Sequence, residues 1–519
     1  MPLHGTDMVS EPSNGSNPEK NDGAMAVGTH DAVVPGRNDA TAPAEKFEKE
    51  DDPNEYVKYL GFSGTKLNLL IAICAGVGFV LFGYDQGVMG SLLNLPPFQE
   101  RFPEINADLD KVYNTSHYST MQGAVVGIYE IGCFAGSVSC ILWGNYFGRR
   151  KMIWGGSLYA REHWDHIPHV NASWQVPIAF QIVLVLPTFL TIWMPESPRW
   201  LMLRGREREA RRVLSALDEV PLGDHSIDVH IFEIKQSLEI SSSVRLRDLF
   251  KQGDGHYFHR TCLAFVVQMF QQISGINLIT YYAGTIFESS IGLSDIQSRI
   301  LAACNGTEYF LASIIAIFTI ERVGRRKLMI WTALGMACTM GILCALLSHR
   351  ALEMSGSEYD PATAQNKGPA IAACVFLFVF NSFFAIGWLG MTWLYPAECT
   401  PLPIRAQANG ISTSANWLFN FMVVMITPVA FSTINNYTYL IFAAINLLMV
   451  PASWWIFPET AGRSLEEMDL IFAKSSCWNP YDVVRIEKKT PRRYDRDGNL
   501  REDPVSEVEQ LAAVEDFHP

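Results

Sequence analysis

"YFGRRKMIW" occupies residues 146–154 and "RVGRRKLMIW" occupies residues 322–331. Each phrase sets a basic turn between one apolar run that ends and another that begins. A second pair follows, "PESPRW" at 195–200 and "PETAGR" at 458–463, so the two phrases recur in the same order. The interval is 47 residues from Gly148 to Pro195 and 134 from Gly324 to Pro458, so the first copy is shorter by 87. A tandem repeat with unequal copies is expected, the first lacking material from its middle. The shortfall is visible locally. After Lys151 the apolar run lasts only from Met152 to Ala160 and then meets "REHWDHIP" at 161–168. Nine residues of helix rise about 14 Å, against roughly 30 Å of hydrocarbon. The charged insert has no counterpart in the second copy.

Other apolar runs are long enough. They fall at 67–89, 120–142, 177–194, 261–287, 301–320, 328–348, 369–395, 406–431 and 438–457, each near the ~20 residues a spanning helix needs. The chain is 49% hydrophobic with 18% charged residues, more apolar runs than a soluble core of 519 residues would need. An all-α polytopic membrane protein follows. Lys and Arg stay cytoplasmic, and the clusters at 149–151, 199–212 and 322–327 lie on one side only if the short run also crosses or has lost its partners. The expected organisation is a disordered cytoplasmic tail over 1–66, a truncated membrane bundle over 67–195 and a charged helical linker over 196–258. A complete six-helix bundle over 259–469 and a cytoplasmic tail over 470–519 follow. The tails carry much of the net charge of −13 and read as solvated ends, with no nucleic-acid partner expected. No short basic-then-apolar signal pattern opens the chain. The ten cysteines lie mostly within apolar runs and form no CxxC pair, so they read as packing residues and no metal site is expected. No Gly-rich phosphate loop, metal-ligand cluster or nucleophile elbow appears. An enzyme is not expected, nor is a cofactor.

Polar residues inside apolar runs are the functional candidates. Asp85 stands in the first run, where a carboxylate costs about 2.5–3.5 kcal/mol on insertion scales. It is either a proton carrier or a structural carboxylate bonded to its neighbours. Gln271, Gln272 and Asn277 interrupt the 261–287 run. Their amides suit a polyhydroxylated ligand, or they serve as glue between helices. Ser274 and Gly275 between them permit a broken helix. Trp454 and Trp455 read as interfacial anchors. Asn114, Asn171 and Asn436 open glycosylation sequons on the expected outer side, with occupancy expected at one or none.

"FGYDQGV" at 82–88, the repeated "GRRK", "PESPRW", "QQISGIN" at 271–277, "WLYPAE" at 393–398 and "PETAGRSLEE" at 458–467 together resemble the sugar porters of the major facilitator superfamily. The likeness covers about 60–475 and is greatest to fungal sugar and polyol–proton symporters. It implies two six-helix bundles around a central site. Here the end of helix three and all of helices four and five have no equivalent, nor have the arginine of helix four and the sugar-contacting glutamine of helix five. It also implies that Phe82, Gln271, Gln272, Asn277, Tyr281, Trp393 and Asn416 contact substrate and that Asp85 couples a proton. Arg149, Arg150, Glu196, Arg199, Arg325, Arg326, Glu398, Arg405, Glu459 and Arg463 become a cytoplasmic gate, a role compatible with their serving as topology determinants. The family's Asp-Arg before the first Gly-Arg-Arg is Asn145 and Tyr146 here. Tyr309 stands where the family often has asparagine, so sugar preference does not carry over.

The implied partners are a sugar or polyol, a proton and the bilayer, at the plasma membrane for the full-length form. A facilitative uniporter is the near alternative and a non-transporting sugar sensor the more distant one, disfavoured by only about 50 residues after the last helix. An inactive product is the expectation for this chain as written.

Overall fold

A computed structural model of the chain describes residues 52–93, 95–105, 115–153, 172–242, 246–253, 255–290, 293–348, 367–476 and 479–491. The end of the short run, the insert at 161–168, Asn114 and Asn171 lie outside the described residues. Among those described, nine helices are long and apolar enough to cross a membrane. They are Gly64–Met89, His117–Phe147, Trp174–Ile192, Tyr257–Glu288, Ile296–Val323, Arg325–Leu346, Ile371–Cys399, Arg405–Ile434 and Tyr437–Ile456, here the first to ninth spans. Each contains one of the apolar runs or overlaps it closely. No strand occurs among the described residues, only an isolated bridge between Tyr59 and Phe62. Large apolar side chains such as Phe79, Ile128, Phe318 and Leu448 point outward, as lipid-facing residues do.

The repeated turn has one geometry in both copies. Gly148 has φ +85° and Gly324 has φ +96°, in the left-handed region that favours glycine. Beyond each glycine a new helix begins, leaving backbone N–H groups without intrahelical partners. A glutamate from the second repeated phrase takes them. The Glu459 carboxylate accepts from the N–H groups of Arg325 (2.8 Å) and Arg326 (3.2 Å). The Glu196 carboxylate accepts from those of Arg149 (3.2 Å) and Arg150 (3.2 Å). Negative charge at a helix N-terminus is also favoured by the helix dipole.

The second and eighth spans cross closely. A Cβ on Gly123 would lie 3.2 Å from the Met425 backbone, and one on Gly127 would lie 3.1 Å from the Phe421 ring. The Ser137 and Ser414 hydroxyls meet at 2.9 Å in the same crossing. Small residues allow such an approach between membrane helices. The fourth span breaks where Ser274 and Gly275 predicted it. Its helices Tyr257–Ile273 and Ile276–Thr285 join at Gly275, φ +95°. Asn446 of the ninth span donates to the Ser274 carbonyl (2.7 Å) and holds the break.

Between the third and fourth spans run the helices Pro198–Leu203, Glu207–Asp218 and His225–Ser242. Trp200, Leu201, Val213, Leu214, Ile227 and Ile231 form a small core of their own there. Trp200 donates its indole N–H to the Asn145 carbonyl (2.9 Å), docking this segment on the end of the second span.

Candidate functional site

The broken fourth span projects amides on both sides of Gly275, and the eighth span supplies their partners. Asn416 donates to the side-chain carbonyl of Gln271 (2.8 Å) and to that of Gln268. Gln271 in turn donates to the Trp388 carbonyl (3.3 Å). Asn277 donates to both Gln272 and Asn420. All of these side chains are buried. The structure thus brings Gln271, Gln272, Asn277 and Asn416 into two bonded sets of amides, Gln268–Gln271–Asn416 and Gln272–Asn277–Asn420. Such groups can exchange their bonds for those of hydroxyls without net loss of pairing.

Tyr281, one turn after Asn277 on the same span, reaches the first half. Its hydroxyl donates to Glu130 Oε1 on the second span (2.5 Å). Glu130 is fully buried, and its Oε2 has no hydrogen-bond partner among the described residues. Asp85 Oδ1 is in the same state on the first span. Gln268, Asn420 and above all Glu130 escaped the sequence reading. The signals were there: Gln268 lies one helical turn before Gln271, Asn420 one turn after Asn416, and Glu130 is an acid in mid-span.

Aromatic rings close the gap between the halves. Phe82 packs edge-on against Trp393 (centroids 6.5 Å apart) and Trp417 (5.3 Å), and Tyr129 also meets Trp417 (6.0 Å). Trp393 is partly exposed, whereas Trp388 one turn earlier is fully buried. Tyr309 lies against Phe384, with centroids 6.2 Å apart.

At the end carrying the basic turns, the two halves differ. Arg325 is buried between Glu398 (2.7 Å) and Glu321 (2.6 Å), and Thr460 donates to Glu398 (2.5 Å). Arg326 donates to the Trp454 carbonyl. Arg463 pairs with Glu487 (3.1 Å) of the helix Pro480–Lys489. In the first half, Arg150 donates to the Met194 carbonyl (3.0 Å); in the second, Arg405 at the start of the eighth span bonds the Thr400 carbonyl (3.1 Å). Arg199 sits close to both Arg149 and Arg405. Burial first, then the charges of those two, holds its guanidinium below the ordinary arginine range.

The profile of the family described as "Sugar (and other) transporter" matches residues 71–160 and 163–472. The chain belongs to the sugar transporter family of the major facilitator superfamily. It is therefore a multi-pass membrane protein of a transporter family, and its relatives are not enzymes. Sugar transporter STL1 of Saccharomyces cerevisiae is 32% identical, the match covering 80% of this chain and 83% of that protein. The MFS-type transporter oryC of Aspergillus oryzae is 30% identical, covering 88% and 94%. Among solved structures, the proton:xylose symporter XylE bound to 6-bromo-6-deoxy-D-glucose has the same fold. It superposes with a TM-score of 0.62 at 21% identity, covering 79% of this chain and 100% of that one.

The STL1 match runs over 493 positions, whereas 80% of 519 residues is about 415. The oryC match runs over 535 positions, whereas 88% of 519 is about 457. In both, about 78 positions hold no residue of this chain, and the family match itself is interrupted between residues 160 and 163.

Proposed function

We propose that this sugar transporter descends from a proton-coupled symporter of a sugar or polyol at the plasma membrane, and that an internal segment has been lost between Ala160 and Arg161. The first bundle (67–195) then lacks the end of its third helix and its fourth and fifth. The linker (196–258) and a complete second bundle (259–469) remain, flanked by tails 1–66 and 470–519 on the cytoplasmic side. Several observations support the loss. The family match breaks at this junction, and the alignments omit about 78 positions. Glycines of the first and second spans, Gly76, Gly83, Gly87, Gly132 and Gly136, would meet nothing within 4 Å if given a Cβ. Small residues of this kind mark helix contacts in membranes, and here the contacts have no neighbour.

The observation that carries the transport reading is the row of buried polar groups along the fourth span. It leads from amides that bond the eighth span to Tyr281, whose bond to Glu130 joins the two halves. A hydroxylated ligand bound among the amides would disturb the Tyr281–Glu130 bond and couple binding to movement of one half on the other. Phe82, Trp393 and Asn416 line the ligand's path, with the indole stacking on its C–H face. Asp85 carries the proton, and the turns around Arg149, Arg150, Glu196, Arg199, Arg325, Arg326, Glu398, Arg405, Glu459 and Arg463 form the gate.

The test uses the chain with the missing segment restored from a full-length relative. Asp85→Asn should abolish uphill accumulation and ligand-induced alkalinisation of the medium while leaving downhill exchange. Glu130→Gln should retain accumulation with weakened ligand affinity. Accumulation persisting in Asp85→Asn but lost in Glu130→Gln would move the proton site to Glu130. Persistence in both would leave a facilitator.

A further inference from the structure

We propose that the helix Pro480–Lys489 lies on the membrane surface and that its outward basic face binds the anionic headgroups of the adjoining leaflet. The sequence supplies the charge. Residues 485–493 carry five Lys or Arg and a single acid, Glu487. Clusters of this size beside a membrane span attract anionic lipids when they face the headgroups.

The fold decides which way the charges face. Val483 and Val484 are buried, and so is Glu487. The Glu487 carboxylate and backbone carbonyl both accept from Arg463 (3.1 and 2.7 Å). Asp482, the other acid of the helix, accepts from the Ser476 N–H (2.8 Å). Both acids are thus engaged within the protein. Arg485 and Lys488 are exposed instead, and among the described residues neither is paired with a carboxylate. The helix has sorted its charges, acids inward and bases outward.

The ninth span fixes where that face lies. Leu440, Ile441, Leu447 and Leu448 are exposed at helical spacing, the stripe that a membrane helix turns to lipid. Trp454 and Trp455, also exposed, end the stripe, as rings do at the boundary between hydrocarbon and headgroups. Tyr481 stacks on Trp454 (centroids 5.7 Å apart) and meets Trp455 (6.3 Å). The Lys488 ammonium lies 5.5 Å from the centre of the Trp454 ring. The basic helix is therefore fastened to the lipid-facing edge of the bundle at headgroup level. Arg326 donates to the Trp454 carbonyl, which puts this edge at the end of the molecule that carries the basic turns. Arg463, held by Glu487, stands four residues after Glu459, the cap of the second basic turn. Headgroup binding is thereby tied through one helix to that turn.

The experiment reads amide hydrogen exchange of the full chain in nanodiscs, one set of phosphatidylcholine alone and one that also contains phosphatidylserine. Exchange over 480–490 should slow severalfold with phosphatidylserine, and the slowing should fade in high salt, which screens surface charge. In Arg485→Gln/Lys488→Gln the slowing should vanish, whereas Arg485→Lys/Lys488→Arg should keep it. Where the glutamine pair does not fold, Lys488→Gln alone serves, with the slowing at least halved. Equal exchange in the two nanodiscs overturns the site, as does slowing that survives in the folded glutamine variants. Slowing that appears only after residues 494–519 are removed also overturns it, because the chain's own acidic tail then covers the face. None of these readouts depends on transport or on the lost segment, so failure of the transport reading and failure of the lipid site are separable.

Discussion

Gly148–Arg150 and Gly324–Arg326 form the same turn and each receives a glutamate carboxylate, Glu196 and Glu459 respectively, yet their surroundings differ. Glu459 is buried and Glu196 is not, and Arg325 has two carboxylates where Arg149 has Asn145 and a cavity. The difference extends along the spans. In the most apolar window of the first span 11% of residues are buried, against 67% for the fourth and 50% for the sixth. The fifth is also low at 17%, as a peripheral helix of a complete bundle can be. In the first copy, all three spans are low. A membrane helix is held by backbone bonds within itself, so it forms without neighbours. Its polar and small residues need them. On the proposed loss, the first copy retains helices without the packing that gives their sequences meaning.

The comparison can be broken by mutation. Removing the buried cap should have the largest effect. Glu459→Ala strips the N–H groups of Arg325, Arg326 and Ala461 of their partner and should cost about 3 kcal/mol, whereas Glu196→Ala, half-exposed, should cost about 1 kcal/mol. Thermal unfolding of the purified chain in detergent reads both. Equal costs would mean that the first copy is as well packed as the second.

Glycine substitutions come next. Gly275→Ala places a Cβ 2.8 Å from the Phe442 ring at φ +95° and should destabilise by about 2 kcal/mol. Gly132→Ala meets open space and should be neutral, or stabilising by roughly 0.5–1 kcal/mol. In a chain with its segment restored, Gly132→Ala should turn destabilising. The sign change sharpens the case for lost neighbours.

The smallest effect lies between the bundles. Lys235 is 2.8 Å from Glu207, and its bond is the main reason the Glu207 carboxyl lies below the ordinary 4.5. A depressed carboxyl stabilises above its unfolded value and ceases to do so as pH falls through the folded one. Lys235→Ala should thus cost under about 1 kcal/mol at neutral pH and nothing in acid, read as the pH dependence of linker unfolding.

The spans were legible because hydrocarbon imposes length and apolarity on every one of them. So was the break at Gly275, where a polar pair interrupts an apolar run. The unequal repeat was legible from four short phrases. The partners of the site residues were not. Asn420 and Gln268 matter because the fourth and eighth spans cross at their level, and a crossing is a tertiary fact that spacing along one helix does not contain. Trp393 was read as a wall residue by likeness to its family, whereas its edge contact with Phe82 depends on how the halves meet. Glu130 is the instructive miss. It stands in "YEIGC" at 129–133, an acid in mid-span among small and apolar residues, and such an acid marks a functional candidate by its cost alone.

The central claim is that the two copies differ because the first has lost helices, and that the loss removes transport. The most direct measurement is uptake of labelled sugars and polyols in a transporter-null host, with surface labelling alongside. It compares the chain as written with the same chain carrying the omitted segment of a relative between Ala160 and Arg161. The account predicts retention inside the cell and background uptake for the first, with surface delivery and uptake restored in the second. Concentrative uptake by the chain as written would contradict it.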